Sequence, residues 1–354
     1  MIEAVRRRVQ AFRAQSGIEV PILLAPMAGV PAPALSAAVA TAGGLGACGA
    51  VLMPPAAIDA WVVAVRRATN GLFQMNLWVP DPAPRRDAMH EDAWRELLAR
   101  WGPPVAADAA DAAPPDFEAQ CAALLDAAPP IVSSVMGVFP AAFVTELKSR
   151  GIQYWANIST VAEARAAEAA GADAIVAQGA EAGGHRGCFD ANGAETEAIG
   201  LLALLPAVVD TVGVPVIATG GIGDARGVAA ALLLGASAVQ VGTAFLRCPE
   251  AGPVPWAEAL AGLAPEDAVL TRAFSGRAGR SVRTRYVQAA TQRAAPYPVQ
   301  RALTAAMRAD AVASGDIGRM QAWAGQAAGL ARAEPAAVTF DRLWRPAAAA
   351  LGLR

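Results

Sequence analysis

The sequence predicts an α/β fold, a (β/α)8 barrel, and three observations carry that prediction. Short apolar runs, eight in all, alternate with Ala-rich helical stretches that end at a Gly. The runs are continuously hydrophobic rather than alternating, which is how strands read when both faces are covered by helices. The segments AAGADAIVAQG (169–179) and LLGASAVQVGT (233–243) are near-copies of one helix–Gly–strand joint, the self-similarity expected of repeated βα units. Eight such units in about 250 residues fit a closed barrel. Strand counting alone leaves a doubly wound open sheet as the alternative.

Taken in order, the candidate strands are Ile22–Ala25, Leu45–Cys48, Phe73–Leu77, Ile131–Val135, Gln153–Asn157, Ala174–Gln178, Val216–Thr219 and Ala238–Val241. Arg6-Arg7-Arg8 reads as the polar face of a short N-terminal helix. Thr160-Val-Ala-Glu163 is a capping box that opens the helix after strand five. Gly171 ends that helix, and Gly235 ends the helix before strand eight. Residues 80–115, rich in Pro, Ala and Asp with a helical piece at 90–101, form an insertion after strand three. The barrel is thus expected over 1–248. Residues 249–354 are expected to form a helical segment packed over the active-site face.

Composition narrows the function classes. The chain has 354 residues, 55% hydrophobic and 17% charged, with a formal net charge of −2. That supports a large core, and no basic run is dense enough for nucleic acid. The longest apolar stretch, 199–220, is interrupted by Pro206, Asp210 and Pro215, so it reads as helix then strand and not as a membrane span. Cys48, Cys121, Cys188 and Cys248 show no CxxC spacing, so no metal site is expected. With no secretory leader evident, the expectation is a reduced cytoplasmic chain, monomer or homodimer.

In a barrel the working face lies at the carboxyl ends of the strands. There the sequence places Ala25-Pro26-Met27, Asn76, Gln178, Gly220-Gly221 and Gln240-Val241-Gly242-Thr243. Gly-rich turns running into helices at strands seven and eight present main-chain N–H groups to an anion, and a Cβ would obstruct a phosphate. Amides at strand ends, Asn76 and Gln178, suit the polar edge of a flat ring. Met27, Trp78 and Phe139 fit core or ligand wall equally well. The loop AQGAEAGGHRG (177–187) holds His185, one of two histidines in the chain. These features alone also suit a sugar phosphate or a nucleotide.

The motifs PILLAPMAGV, GLFQMNLW, GADAIVAQGAEAGGHRG, PVIATGGIGDARG, GASAVQVGTAF, SGRAGRS and WAGQ (323–326) resemble those of the nitronate monooxygenase family, formerly 2-nitropropane dioxygenases. The likeness runs from Pro21 to about Ala336. It implies an FMN-containing TIM barrel that oxidises alkyl nitronates with O2 to a carbonyl compound and nitrite, without nicotinamide. By resemblance FMN is held by Ala25, Pro26, Met27, Asn76, Gln178, Gly183, Gly184, Gly220, Gly221, Gln240, Val241, Gly242 and Thr243. Gly325 and Gln326 close the site from the C-terminal segment. The alternative on the same barrel is an FMN-dependent NAD(P)H:quinone or enoyl-thioester reductase.

One departure matters. Better-known members carry a base histidine on strand four, in a segment of the form SFHFG. Here the aligned segment is Ser133-Ser134-Val135-Met136-Gly137, and Val135 accepts no proton. Some sister reductases place a histidine at the start of the helix after strand five, where this chain has Glu163, the capping-box partner. His185 is then the only histidine near the flavin, with two roles open: a structural donor, or an acid or base. Val135, Met136 and Phe139 are expected to wall an apolar substrate pocket. A chain without the strand-four base is expected to favour preformed anionic nitronates over neutral nitroalkanes.

Overall fold

A computed structural model describes residues 1–353. Eight parallel strands form one sheet: β1 (Ile22–Leu24), β2 (Gly46–Gly49), β3 (Phe73–Trp78), β4 (Ile131–Val135), β5 (Gln153–Ile158), β6 (Ala174–Gln178), β7 (Val216–Thr219) and β8 (Ala238–Val241). Each lies where the sequence places it, to within a residue at either end. Neighbours pair in chain order, and β1 pairs in parallel with β8. A parallel bridge between Leu23 and Leu45 closes β1 onto β2. The sheet is therefore a closed barrel and not an open doubly wound sheet.

The interior changes character along its axis. At the amino-terminal end it is filled by Leu23, Leu45, Ile131, Trp155, Val176 and Ile217. The helix Ile2–Ser16 plugs that end, with Phe12 against Trp155 at a ring separation of 6.1 Å. Arg8 anchors the plug by donating to the carbonyls of Leu232 and Ala236. Toward the carboxyl end the interior positions turn polar: Gln74, Ser133, Gln178 and Gln240 are buried there. Buried polar side chains persist only when hydrogen-bonded, so these define where the barrel stops being a core and becomes a site.

Local signals hold as expected. Thr160 and Glu163 form both halves of the capping box, and Gly171 and Gly235 adopt φ of 87° and 114°. The insertion carries one α-helix, Ala88–Leu98, which ends before Trp101 because the chain turns there, the N–H of Trp101 and Gly102 bonding to the Leu98 carbonyl.

The C-terminal region is not helical throughout. Ala268–Thr271 and Gly279–Val282 form an antiparallel hairpin, extended by Gly184–His185 from the loop after β6. Its last helix, Ala336–Leu351, does not cover the mouth. That helix packs beside helices Ala225–Leu233 and Pro33–Thr41 and completes the outer ring. Strand β8 is followed only by short 3-10 turns, beginning with Thr243–Phe245, so the eighth outer helix has to come from further along the chain. What covers the mouth is a roof built from the insertion and residues 268–323, with its own core of Trp94, Leu98, Phe274, Tyr286, Leu303 and Met307.

Candidate active site

Between barrel and roof lies a cavity of about 790 Å³. Its floor is made by the strand ends. Ser133 Oγ donates to Gln74 Oε1 at 2.8 Å, and Gln74 Nε2 donates to Gln240 Oε1 at 2.9 Å. Asn76 Nδ2 donates to Ser133 Oγ at 3.0 Å. This chain of bonds fixes which end of each amide faces the cavity: Asn76 keeps its carbonyl oxygen, and Gln240 keeps its NH2. A flat ring laid there meets an acceptor on one side and a donor on the other. Asn157 Nδ2 and Trp78 Nε1 are buried without a partner, and both residues line the cavity.

At one side of the floor the turns after β7 and β8 converge. Among the described residues the N–H groups of Gly220, Gly221, Gly242 and Thr243 make no hydrogen bond. Gly220 and Gly221 have φ of 109° and 69°, where a side chain is strained. Gly325 N–H donates to Thr243 Oγ1 at 3.1 Å, and a Cβ on Gly183 would sit 2.5 Å from Gly325 N. The C-terminal crossing therefore rests directly on the Gly183 loop. Unsatisfied N–H groups converging beside unpaired amides fit a flat heteroaromatic ligand with an anionic tail.

The roof supplies aromatic faces. His185 lies between Trp78 and Trp323, with ring separations of 4.8 and 4.9 Å, and Tyr297 stacks on Trp78 at 4.8 Å. His185 Nε2 bonds Ser275 Oγ at 2.7 Å. Burial, and then the positive charges of Arg277, Arg301 and Arg308, push the His185 imidazole down to about 3. The ring is neutral at physiological pH. Arg277, itself 2% exposed, pairs with Asp81 of the insertion at 2.5 Å and contacts Met136 Sδ and the Cys188 carbonyl. The SGRAGRS loop thus ties the roof to the end of β4.

Of the residues singled out in the sequence, most line this cavity: Ala25, Pro26, Met27, Asn76, Val135, Met136, Gln178, Gly183, Gly184, His185, Gly220, Gly221, Gln240, Val241, Gly242, Thr243 and Gly325. Two need correction. Phe139 is core: it is 2% exposed and packs on Phe117, Phe143 and Tyr154, because the chain turns outward after Gly137. Gln326 donates its N–H to the Glu181 carbonyl and faces a separate cavity behind the Gly220 turn. Gln178 lines the cavity and also orders the loop, donating to the His185 carbonyl and accepting from Gly187 N–H, which leaves each end of its amide one further bond. The reading missed Asn157, Trp256, Tyr297, Arg301 and Arg308. Arg301 and Arg308 are seven apart in a helical stretch, one face two turns on, and that spacing was the available signal.

Glu163, at the helix after β5, accepts from Ser159 and Phe189 N–H at 2.7 and 2.6 Å as well as serving the capping box. It is fully occupied as a brace. No helix of the described residues is long and apolar enough to cross a membrane, and no cluster suited to a metal ion occurs among them.

Comparison with known proteins agrees with this geometry. The family model described as nitronate monooxygenase matches residues 10–340. A nitronate monooxygenase of Paraburkholderia phytofirmans is 40% identical over 93% of this chain and 92% of its own. One from Pseudomonas aeruginosa is 41% identical over 91% of this chain and 94% of its own. Among solved structures, nitroalkane oxidase from Streptomyces ansochromogenes superposes with a TM-score of 0.86 at 36% identity, covering 96% of this chain and 99% of that one. FabK from Thermotoga maritima superposes at 0.76 with 28% identity, each chain covered to 97%. The chain belongs to the nitronate monooxygenase family, and it is an oxidoreductase of the flavin-dependent kind.

Proposed function

We propose that this protein oxidises alkyl nitronates with O2 to a carbonyl compound and nitrite, using FMN, and that it takes substrates already ionised. The observation that carries the second half is the wall beside the ring site. Val135 occupies the β4 end, and the cavity lining holds no carboxylate and no histidine other than His185. A group pushed down to about 3 is too weak a base to deprotonate a nitroalkane near neutrality. Of the two roles open to His185, the geometry favours a neutral wall held in place by Ser275, Trp78 and Trp323.

The N–H groups of Gly220, Gly221, Gly242 and Thr243 would hold the FMN phosphate, and Asn76, Gln240 and Asn157 would meet the ring edge. Bound there, FMN supplies an electron acceptor for the anionic substrate and a donor to O2. The residues of the chain do the rest. Trp78, Trp323 and His185 would keep water from one side of the ring site and fix the plane in which substrate lies, with the roof narrowing access from bulk solvent.

Oxygen uptake at equal concentrations of a nitronate and its neutral nitroalkane tests the reading. Turnover with the nitronate and little with the neutral form is expected. Comparable activity on both removes the argument from Val135. Bleaching of a yellow holoprotein by NADH or NADPH without air would favour the reductase alternative, and a colourless protein that binds no added FMN would end both.

A further inference from the structure

The cavity carries an unbalanced charge. Arg301 and Arg308 line it, and no aspartate or glutamate does. Several roof arginines are matched by acids, Arg277 with Asp81, Arg285 with Asp316, and Arg319 with Asp310 and Asp316. Arg280, which has no acidic partner, lies outside the cavity and spends its guanidinium on the carbonyls of Ala180 and Ala268. Neither Arg301 nor Arg308 forms an ion pair among the described residues. Arg308 is positioned by neutral acceptors alone, donating to Thr304 Oγ1 at 3.1 Å, to Gln321 Oε1 at 3.2 Å and to the Arg301 carbonyl at 2.9 Å. The Arg301 guanidinium donates to no described residue. Both side chains are half-buried, facing the cavity, and a cation partly withdrawn from water is usually paired because the withdrawal is costly. Two neighbouring unpaired cations beneath aromatic walls, in a space of ligand size, constitute a site with its counter-charge still to come.

Burial lowers both guanidinium groups from their ordinary value, Arg308 to about 10 with Arg301 adding to the effect. An incoming anion relieves that desolvation, and low-dielectric walls focus the field on the entrance. Arg also presents a planar fork, which matches a planar O–X–O group in two parallel bonds.

We propose that Arg301 and Arg308 are the anion-selecting residues of the cavity: they bind a planar oxyanion group of the substrate, so that ionised substrates are chosen over neutral ones by affinity. The substrate half of this inference rests on the nitronate reading above. The planar oxyanion has two sources, the nitronate group itself or a carboxylate elsewhere on the same molecule.

The test uses the FMN-loaded protein and nitrate, a planar anion that offers nothing to oxidise. Calorimetric titration should show nitrate binding, weakened about 10- to 100-fold in R301Q and in R308Q, the range for losing a hydrogen bond to a charged group. R301K and R308K, which keep the charge, should recover part of it and serve where a glutamine variant folds poorly. In turnover, KM for a nitronate should rise with kcat within a few-fold. A simple alkyl nitronate and one bearing a carboxylate separate the sources. A KM rise for both places the nitronate group on the arginines, and a rise confined to the second places the carboxylate there.

Unchanged nitrate binding in all four variants overturns the proposal. So does loss of FMN in place of nitrate, since the pair would then hold the cofactor's phosphate. If the wild-type protein binds nitrate through these arginines yet oxidises no nitronate, the anion site stands and the nitronate reading falls.

Discussion

The floor of the cavity offers its ligand main-chain N–H groups and neutral amides, whereas the roof offers aromatic faces and two arginines. The floor is built at the ends of eight strands that pair residue by residue, so its groups are fixed by sheet register. The roof is built from an insertion and a C-terminal segment far apart in sequence, joined by a separate core around Trp94 and Tyr286 and by the Arg277–Asp81 pair. A rigid floor suits a resident cofactor. A roof with its own core can change the substrate preference without disturbing the barrel.

Four experiments break or sharpen that contrast. The largest effect is expected at the boundary between the two regions. Val135→His places a base at the β4 end, and activity on the neutral nitroalkane should rise by about 10²–10⁴-fold, the usual worth of general-base assistance. Steady-state oxygen uptake reads it, and no gain in a variant that still binds FMN would mean that the pocket does not bring substrate to that wall.

Next comes Trp94→Ala, which empties the centre of the roof core. Trp94 is fully buried, and its Nε1 donates to the Arg293 carbonyl at 2.9 Å. Such truncations cost about 3–5 kcal/mol. Hydrogen exchange should rise in residues 80–115 and 285–310 and not in the barrel strands. Uniform loss of protection would show that floor and roof unfold as one.

Gly220→Ala does the converse. Its φ of 109° and a would-be Cβ at 3.1 Å from the Gly179 carbonyl force the turn to shift. FMN affinity should fall about 10²-fold, the worth of two charge-assisted bonds misdirected, with the roof's exchange unchanged. Fluorescence titration of the apoprotein measures it.

The smallest effect is the pH dependence of His185. Its folded value, about 3, lies below the ordinary 6.5, so between those values the unfolded chain binds more protons. Its contribution to stability is therefore complete above about pH 6.5 and declines as pH falls toward 3. Between pH 7 and pH 5 the decline is about 2 kcal/mol. Denaturant unfolding of wild type and His185→Asn at both values isolates it, since the variant lacks this component while the carboxylates titrate in both.

The same contrast explains what the sequence made legible. Continuous apolar runs and helix-ending glycines located every barrel strand, because parallel strands report burial on both faces in their own composition. Gly220, Gly221 and Gly242 were legible for the same local reason: a turn needs its glycine whatever packs on it. Phe139 misled because an aromatic two residues beyond a turn carries no mark of which side it enters. Helix Ala336–Leu351 looked like more roof, since its return to the outer ring depends on contacts with the far side of the barrel. Arg301 and Arg308 left only their seven-residue spacing in the sequence, which puts them on one helical face without saying what that face looks into, and the absence of an acidic partner is visible only in space.

The position of that last helix has a consequence for synthesis. Strand β1 is made well before both its partner β8 and the helix that covers the seam between them. Until it emerges, the growing polypeptide carries an apolar seam open to water and to other chains. Closure of the barrel therefore waits on that helix, and polar substitutions on its buried face should divert the chain to aggregates rather than leave a weaker enzyme.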